Sequence, residues 1–433
     1  MEFPLIEKKW SKSQFSIDIA YPNLYYGGSY SLAVITFYNI INGMSGWACN
    51  RVYLDNGKLS SNLIGFTIHY ELDYRNVLEM LKKNGIQMSK VGRRQIVFAG
   101  GPCIINNPDT LSEYLDFMFI GEADENIVKV LERYEKDQDK EKFMENIKDI
   151  PGVYVPGKSK SSCYALVEDL DKVPYPLYQP LPENITKDFV FGKCFILETE
   201  RGCPYRCKFC SVGTFYKGIR MRRLENLKKI IDDGTRLNRR SKVVIYSPSF
   251  VHKDRKDILK YMISKGLEFS VPSVKAETLD DEMLELIPKG GQRTLTLAPE
   301  CNERLRIELN KNVKDEVFFR VIEMANRHGI RQLKYYFLFG IPGQTDDDIM
   351  ETVAFIKKLR EMFKGKTYVS FNALVGKPKT EFQGMGFDKA KLKKQSEMIK
   401  KELSKIGVRI KMSGIATSEM EYNLAYAKSY RLE

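Results

Sequence analysis

Cys203, Cys207 and Cys210 lie in the run Glu200-Arg201-Gly202-Cys203-Pro204-Tyr205-Arg206-Cys207-Lys208-Phe209-Cys210, a CxxxCxxC spacing. Three thiolates this close can each hold one iron of a cubane [4Fe–4S] cluster. A fourth cysteine in the same loop would close the cluster as an electron carrier. The loop has none, so a non-catalytic iron–sulfur scaffold lacks its last ligand, and one iron keeps an open site where a substrate can coordinate. A zinc centre would want a further Cys or His nearby, and the nearest histidine is His252.

The other five cysteines (Cys49, Cys103, Cys163, Cys194 and Cys301) stand alone and read as small buried hydrophobes. A chain of 433 residues is too long for one core, so two or three domains are expected. With 43% hydrophobic and 29% charged residues it is no disordered segment. It has no run of roughly 18 apolar residues and no apolar signal core at its start, so a cytoplasmic protein without membrane association is expected. The net charge of +13 is concentrated in Lys389 to Lys411, where Leu and Ile recur at helical spacing. A solvated helix face explains that stretch, and an anionic partner is the alternative.

The elements that must position the cysteines alternate. Phe15 to Ala20, Leu63 to Ile68, Gln95 to Ala99 and Phe117 to Ile120 read as strands, with helices over Tyr30 to Ile41, Asn76 to Lys83 and from Glu125. Gly27-Gly28-Ser29 reads as a turn and N-cap before the first helix. This alternation predicts an α/β fold, with a Rossmann-like parallel doubly wound sheet over residues 1–140 and no GxGxxG fingerprint. Residues 141–190 are rich in proline and read as a linker. Over 191–385 six strands (Phe195 to Glu198, Val243 to Tyr246, Phe269 to Val271, Thr294 to Leu297, Leu333 to Phe339 and Tyr368 to Leu374) predict a partial (β/α)6 TIM-type barrel. Residues 386–433 read as a short helical segment.

The CxxxCxxC run, with Phe209 before its last cysteine, resembles the signature of the radical SAM superfamily. The resemblance implies a cluster on Cys203, Cys207 and Cys210 whose open iron chelates S-adenosylmethionine (SAM). One electron from an external donor of flavodoxin or ferredoxin type would then give methionine and a 5′-deoxyadenosyl radical. Ser247-Pro248-Ser249 follows the second barrel strand where the family has a GGE-like segment, and departs from that pattern. Ala298-Pro299-Glu300 matches where relatives place a carboxylate for SAM. Gly340-Ile341-Pro342-Gly343-Gln344-Thr345 resembles the GxPGET turn of Elongator-type and methylthiotransferase-type enzymes. The SAM-binding residues so implied are Phe209, Ser247, Ser249, Glu300, Gly340 and Pro342.

The N-terminal half resembles the cobalamin-binding domain of one radical SAM subfamily, in the stretches Tyr21-Pro22-Asn23, Ile64 to Thr67, Ala99 to Pro102 and Ile120 to Glu122. That resemblance implies cobalamin contacts at Tyr26, Gly28, Thr67, His69, Tyr70, Gly100, Gly101, Pro102, Gly121 and Glu122. The DxHxxG motif, whose histidine ligates cobalt, is missing, and His69, His252 and His328 are not in that context. Some members without it hold cobalamin with cobalt's lower face free. The implied activity is cobalamin-dependent C-methylation of an unactivated carbon by a monomeric enzyme. The acceptor would be a large substrate such as a protein side chain or RNA. Peptide methylation of the kind archaeal members perform on methyl-coenzyme M reductase is one form of it. The alternative is a cobalamin-independent RNA-modifying enzyme resembling methylthiotransferases, with a second cluster on Cys49, Cys103 and Cys163.

Overall fold

The computed structural model describes residues 1–8, 14–159, 163–216 and 218–431. The chain divides into two compact units. One comprises Met1–Ile196, Asp232–Arg240 and Asn423–Glu433; the other comprises Leu197–Ile231 and Ser241–Tyr422.

In the first unit, β1 (Phe15–Tyr21), β2 (Trp47–Tyr53), β3 (Leu63–Thr67), β4 (Ile96–Gly100), β5 (Phe117–Phe119) and β6 (Val153–Tyr154) form one sheet in the order β2-β1-β3-β4-β5-β6. Every pair is parallel except β5 with β6. β3, Leu-Ile-Gly-Phe-Thr, is buried along its whole length, as a parallel strand covered on both faces must be. Alternate residues feed two cores. Ile17, Ile19, Leu63 and Phe98 pack under α1 (Leu32–Gly43), α3 (Asn126–Lys136) and α4 (Lys140–Ile147). Ile64, Phe66, Val97 and Met118 pack under α2 (Tyr74–Lys83). The order 2-1-3-4-5 reverses between β1 and β3, and at such a switch point the loops leave in opposite directions and open a crevice.

Sequence reasoning passed over β2, whose interior holds Asn50 and Arg51, polar residues that a strand at the sheet edge accommodates. It also set the first helix too early. A one-turn helix occupies Tyr25–Gly28, and α1 starts at Leu32 with Ser31, not Ser29, at its N-cap. The proline-rich stretch supplies α4, β6 and a two-residue strand, Leu181–Pro182, antiparallel to Glu2–Phe3.

The second unit is the partial barrel. β7 (Phe195–Glu198), which the boundary between units crosses, β8 (Lys242–Tyr246) and β9 (Glu268–Ser270) form one sheet. β10 (Thr294–Glu300), β11 (Gln332–Phe339), β12 (Lys366–Ala373) and β13 (Arg409–Met412) form another in that order, all parallel. The six strands expected are present. β13 adds a seventh inside the stretch read as helical, where Arg-Ile-Lys-Met alternates with period two. Helices α5 (Leu224–Asn238), α6 (Arg255–Ser264), α7 (Asp281–Lys289), α8 (Glu303–Glu308), α9 (Asp315–Arg327), α10 (Asp346–Met362) and α11 (Lys389–Ser404) connect them. On α11, Leu392, Ile399 and Leu403 are buried while Lys391, Lys393, Lys400 and Lys401 are exposed, the solvated basic face its spacing suggests. Among the described residues no helix is long and apolar enough to cross a membrane.

Candidate functional site

The three cysteines sit on a loop that the chain holds from several directions. After β7, Glu200–Arg201 pairs antiparallel with Arg220–Met221, making the neck of a hairpin. Gly202 follows with φ of +84°, and a Cβ there would lie 2.1 Å from the carbonyl oxygen of Gly218. Further along, the Lys208 amide donates to the Leu309 carbonyl (3.1 Å) and the Asn310 side-chain amide to the Arg206 carbonyl (2.7 Å). The Glu381 amide donates to the Lys208 carbonyl at 3.2 Å. Phe209 packs against Cys301, Leu305, Leu309, Ile341 and Leu374, so its ring anchors the loop in a small core.

Cys203, Cys207 and Cys210 are each half-buried and in no disulfide. Burial pushes the Cys207 and Cys210 thiols up. Lys275 and Lys311 pull Cys207 back, and the amides of Gly213 and Val212 do the same for Cys210. Metal binding displaces the thiol proton, and the two lysines offset the negative charge of a thiolate-ligated cluster. Among the described residues no three His, Cys, Asp or Glu side chains converge as ligands of a single ion. A cubane asks for something different, one thiolate per iron. Three half-buried thiols on one tethered loop fit that demand.

Around them stand carboxylates in fixed places. Buried Glu200 accepts from the Ser247 hydroxyl (2.7 Å) and the Val251 amide (2.9 Å). Ser247 in turn accepts from the Phe250 amide (2.7 Å), so its hydroxyl folds the turn after β8. Buried Ser249 turns its hydroxyl to within 3.6 Å of the Cys203 sulfur. Glu300, buried at the end of β10, has φ of +70° and follows a break in register against β11. A non-glycine residue held there costs on the order of 1–3 kcal/mol. Its carboxylate meets the Lys311 ammonium at 2.7 Å, and both charges act on Cys207. The structure therefore brings the cysteine loop, Ser249, Glu300 and Lys311 together. Lys311, eleven residues past Glu300, was not singled out by sequence reasoning, because a spacing that long carries no local signal.

The Gly340 turn is occupied by its own chain. The amides of Gly340 and Ile341 donate to the Gln344 side chain at 2.8 and 3.3 Å, and Thr345 and Asp348 form the capping box of α10. Gly340 has φ of +77°, and the group it admits closely is Leu392 of α11, 2.3 Å from where a Cβ would stand. Pro342 is exposed. His252 is fully buried and satisfied. Its Nδ1 accepts from the Asp254 amide (3.0 Å), which leaves Nε2 to donate to the Arg222 carbonyl (2.8 Å).

In the first unit the residues expected at a ligand collect at the carboxyl ends of β1, β3 and β4. Gly28 is needed because a Cβ would lie 2.6 Å from the Tyr21 ring and 2.8 Å from Tyr53. Gly101, at φ of +112°, passes so close to Ile68 that a Cβ would lie 2.4 Å from its carbonyl oxygen. Gly100 has ordinary room, and Pro102 opens a short helix, Pro102–Asn106. His69 is a solvent-accessible residue that packs edge-on to Tyr21 at 5.6 Å, and the protein gathered around it disfavours its charged form and lowers its pKa. Tyr26 is exposed and Tyr70 half-buried. Gly121 and Glu122 serve the chain itself. A Cβ on Gly121 would meet the Ala165 carbonyl at 2.2 Å, and the Glu122 carboxylate accepts from the Val167 amide at 2.7 Å.

At these strand ends, buried polar atoms lack partners: the hydroxyls of Ser29, Ser31 and Thr67 and the side-chain carbonyl of Asn106. Buried hydroxyls are ordinarily paired, so these four groups keep hydrogen-bonding capacity for a water or a polar ligand. Ser29, Ser31 and Asn106 escaped sequence reasoning, since only tertiary packing reveals that they are unpaired.

Beside this edge, buried Asp73 accepts from the Asn23 and Asn76 side-chain amides at 2.8 and 3.4 Å, yet burial lifts its pKa to about 6. Its charged form is disfavoured in the folded chain. That cost is present above the folded pKa and vanishes as pH falls below the unfolded value. Asp73→Asn, which keeps the accepting oxygen, is expected to raise stability at neutral pH by about 1–3 kcal/mol. The gain should shrink at mildly acidic pH, as thermal melts at the two conditions would show.

Residues 197–356 match the family model described as the radical SAM superfamily, and residues 59–156 match radical SAM proteins, N-terminal. The uncharacterized protein MJ0966 of Methanocaldococcus jannaschii is 31% identical over 402 residues, 91% of this chain and 85% of that one. The radical SAM methyltransferase TsrM from Kitasatospora setae, solved with cobalamin and a [4Fe–4S] cluster bound, aligns with a TM-score of 0.62 at 15% identity. That alignment covers 88% of this chain and 75% of TsrM. The cobalamin-dependent radical enzyme OxsB aligns with a TM-score of 0.56 at 14% identity, over 79% of this chain and 51% of OxsB.

Proposed function

The chain belongs to the radical SAM superfamily, and from that premise we propose that it is a cobalamin-dependent C-methyltransferase with its cluster on Cys203, Cys207 and Cys210. The observation that carries the cluster is the tethered loop with three half-buried thiols. The observation that carries cobalamin is the set of unpartnered hydroxyls at the strand ends of a fold similar to that of TsrM. When bound, the cluster and SAM supply the 5′-deoxyadenosyl radical and cobalamin supplies the methyl group.

The protein's own part is binding, orientation and exclusion of water. Cys203, Cys207 and Cys210 give up their protons to hold iron, with Lys275 and Lys311 balancing the charge. Glu300 orients SAM, and Ser249 lies on the sulfur side of Cys203. Ser29, Ser31, Thr67 and Asn106 offer hydrogen bonds to the polar rim of the corrin, while His69 and Tyr70 border it. The acceptor proposed is an unactivated carbon of a protein or peptide, and the exposed lysines of α11 suit an acidic surface on such a partner or on the electron donor.

Anaerobic reconstitution with hydroxocobalamin, followed by removal of excess, tests this. Corrin absorbance should stay with the protein and weaken in a Ser29→Ala, Thr67→Val double variant. If no corrin remains with the wild type and iron rises to the content of a second cubane, the methylthiotransferase-like reading replaces this one.

A further inference from the structure

Glu300 holds a left-handed backbone conformation that its neighbours in the chain do not impose, since it is neither glycine nor asparagine. Something outside the strand must hold it, and one side chain does. Arg306, fully buried on α8, donates from Nε to the Pro299 carbonyl (2.9 Å) and from Nη2 to the Cys301 carbonyl (2.7 Å). These are the carbonyls of the residues on either side of Glu300. Its Nη1 donates to the Val313 carbonyl (2.7 Å) and to Asp315 (2.9 Å). The guanidinium packs against two rings that meet edge to face, 4.8 Å from the Phe318 centroid and 5.1 Å from that of Phe355. The carbonyl of Arg306 accepts from the Lys311 amide (3.0 Å), and the Lys311 ammonium meets the Glu300 carboxylate.

We infer that Arg306 is a positioning residue that presents the Glu300 carboxylate at the cluster loop, an inference that rests on reading Glu300 as a SAM contact. Stability alone accounts poorly for the arrangement. A buried charge is costly, and apolar residues of similar volume stabilise a core at least as well. What a planar fork does, and an apolar side chain or a lysine does not, is fix two carbonyls at a set angle to one another. Arg306 reaches Glu300 by its backbone and Lys311 through its own carbonyl, so both members of the ion pair are set by one residue.

Equilibrium dialysis of SAM against the anaerobically reconstituted full chain, without turnover, tests this together with iron content and thermal melting. Arg306→Lys should weaken SAM binding about tenfold at unchanged iron content. Asp315→Ala, which removes an anchor remote from Glu300, should lower the melting temperature and leave SAM affinity within about twofold. Phe318→Leu, which removes one of the two rings but keeps every donor, should weaken SAM about threefold. It decides the matter if Arg306→Lys does not fold. Wild-type SAM affinity in Arg306→Lys, or in Phe318→Leu where that variant decides, overturns the inference whatever the melting temperature. Glu300→Gln separates the two claims. If it weakens SAM while Arg306→Lys does not, the positioning role alone is wrong. If Glu300→Gln binds SAM normally, the reading of Glu300 fails and the inference with it.

Discussion

Replacing Cys203, Cys207 or Cys210 singly by alanine is expected to strip the chain of its reconstituted iron and reduce 5′-deoxyadenosine formation to background, with the fold intact. The loop carrying them is tethered by the chain itself. Leu309, Asn310 and Glu381 tether its backbone and Phe209 seats it in an apolar cluster. Loss of one half-buried thiol therefore removes a ligand without opening a core. Cys301 is the matched control. It is fully buried, and burial raises its thiol to about 12, so it is a protonated packing residue beside the same loop. Cys301→Ser should keep iron and SAM cleavage. Anaerobic iron analysis and chromatography of the nucleoside product read both outcomes. A Cys207→Ala protein that still forms 5′-deoxyadenosine would sink the assignment of the cluster.

Some of the strands that the sequence disclosed are ones whose burial is continuous. Leu63–Thr67 and Phe117–Phe119 have no polar interruption because helices cover both faces, and such runs cannot hide. β2 and β13 stayed hidden for the opposite reason. Each lies at a sheet edge, where Asn50 and Arg51, or Arg409 and Lys411, are tolerated inside a strand. The site divides in the same manner. Three cysteines within one loop carry a local spacing, and local spacing is legible. Glu300 with Lys311, or Arg306 with the carbonyls around Glu300, depends on how α8 folds back, and nothing in the intervening residues announces it. The unpaired hydroxyls at the switch point are further still from the sequence, because a serine shows no sign of lacking a partner until every neighbour is placed. The Gly340 turn shows the converse. Its motif was legible, but the amides it displays are spent on Gln344 and on capping α10.

Gly202→Ala carries the second large expectation, and it concerns how the cysteines are presented rather than which atoms bind iron. Alanine at φ of +84° is strained by about 1–2 kcal/mol before any contact is considered. Its Cβ would also stand 2.1 Å from the Gly218 carbonyl oxygen and 3.0 Å from the Tyr216 Cβ. A flexible side chain could move aside, but a backbone carbonyl two residues from a paired neck cannot do so cheaply. The neck joining Glu200–Arg201 to Arg220–Met221 must open, and the residue next to the substitution is Cys203. The expected result is a loss of about 2–4 kcal/mol of stability, with reconstituted iron falling by more than half although every ligand is present. Gly213→Ala provides the comparison. Its Cβ would come 2.9 Å from the Tyr205 carbonyl, but its φ lies outside the left-handed region, so a smaller fall is expected. Full iron loading in Gly202→Ala would mean that the cluster itself shapes the loop. Loss in Gly202→Ala alongside retention in Gly213→Ala would mean that the hairpin neck sets the cysteines in place before iron arrives.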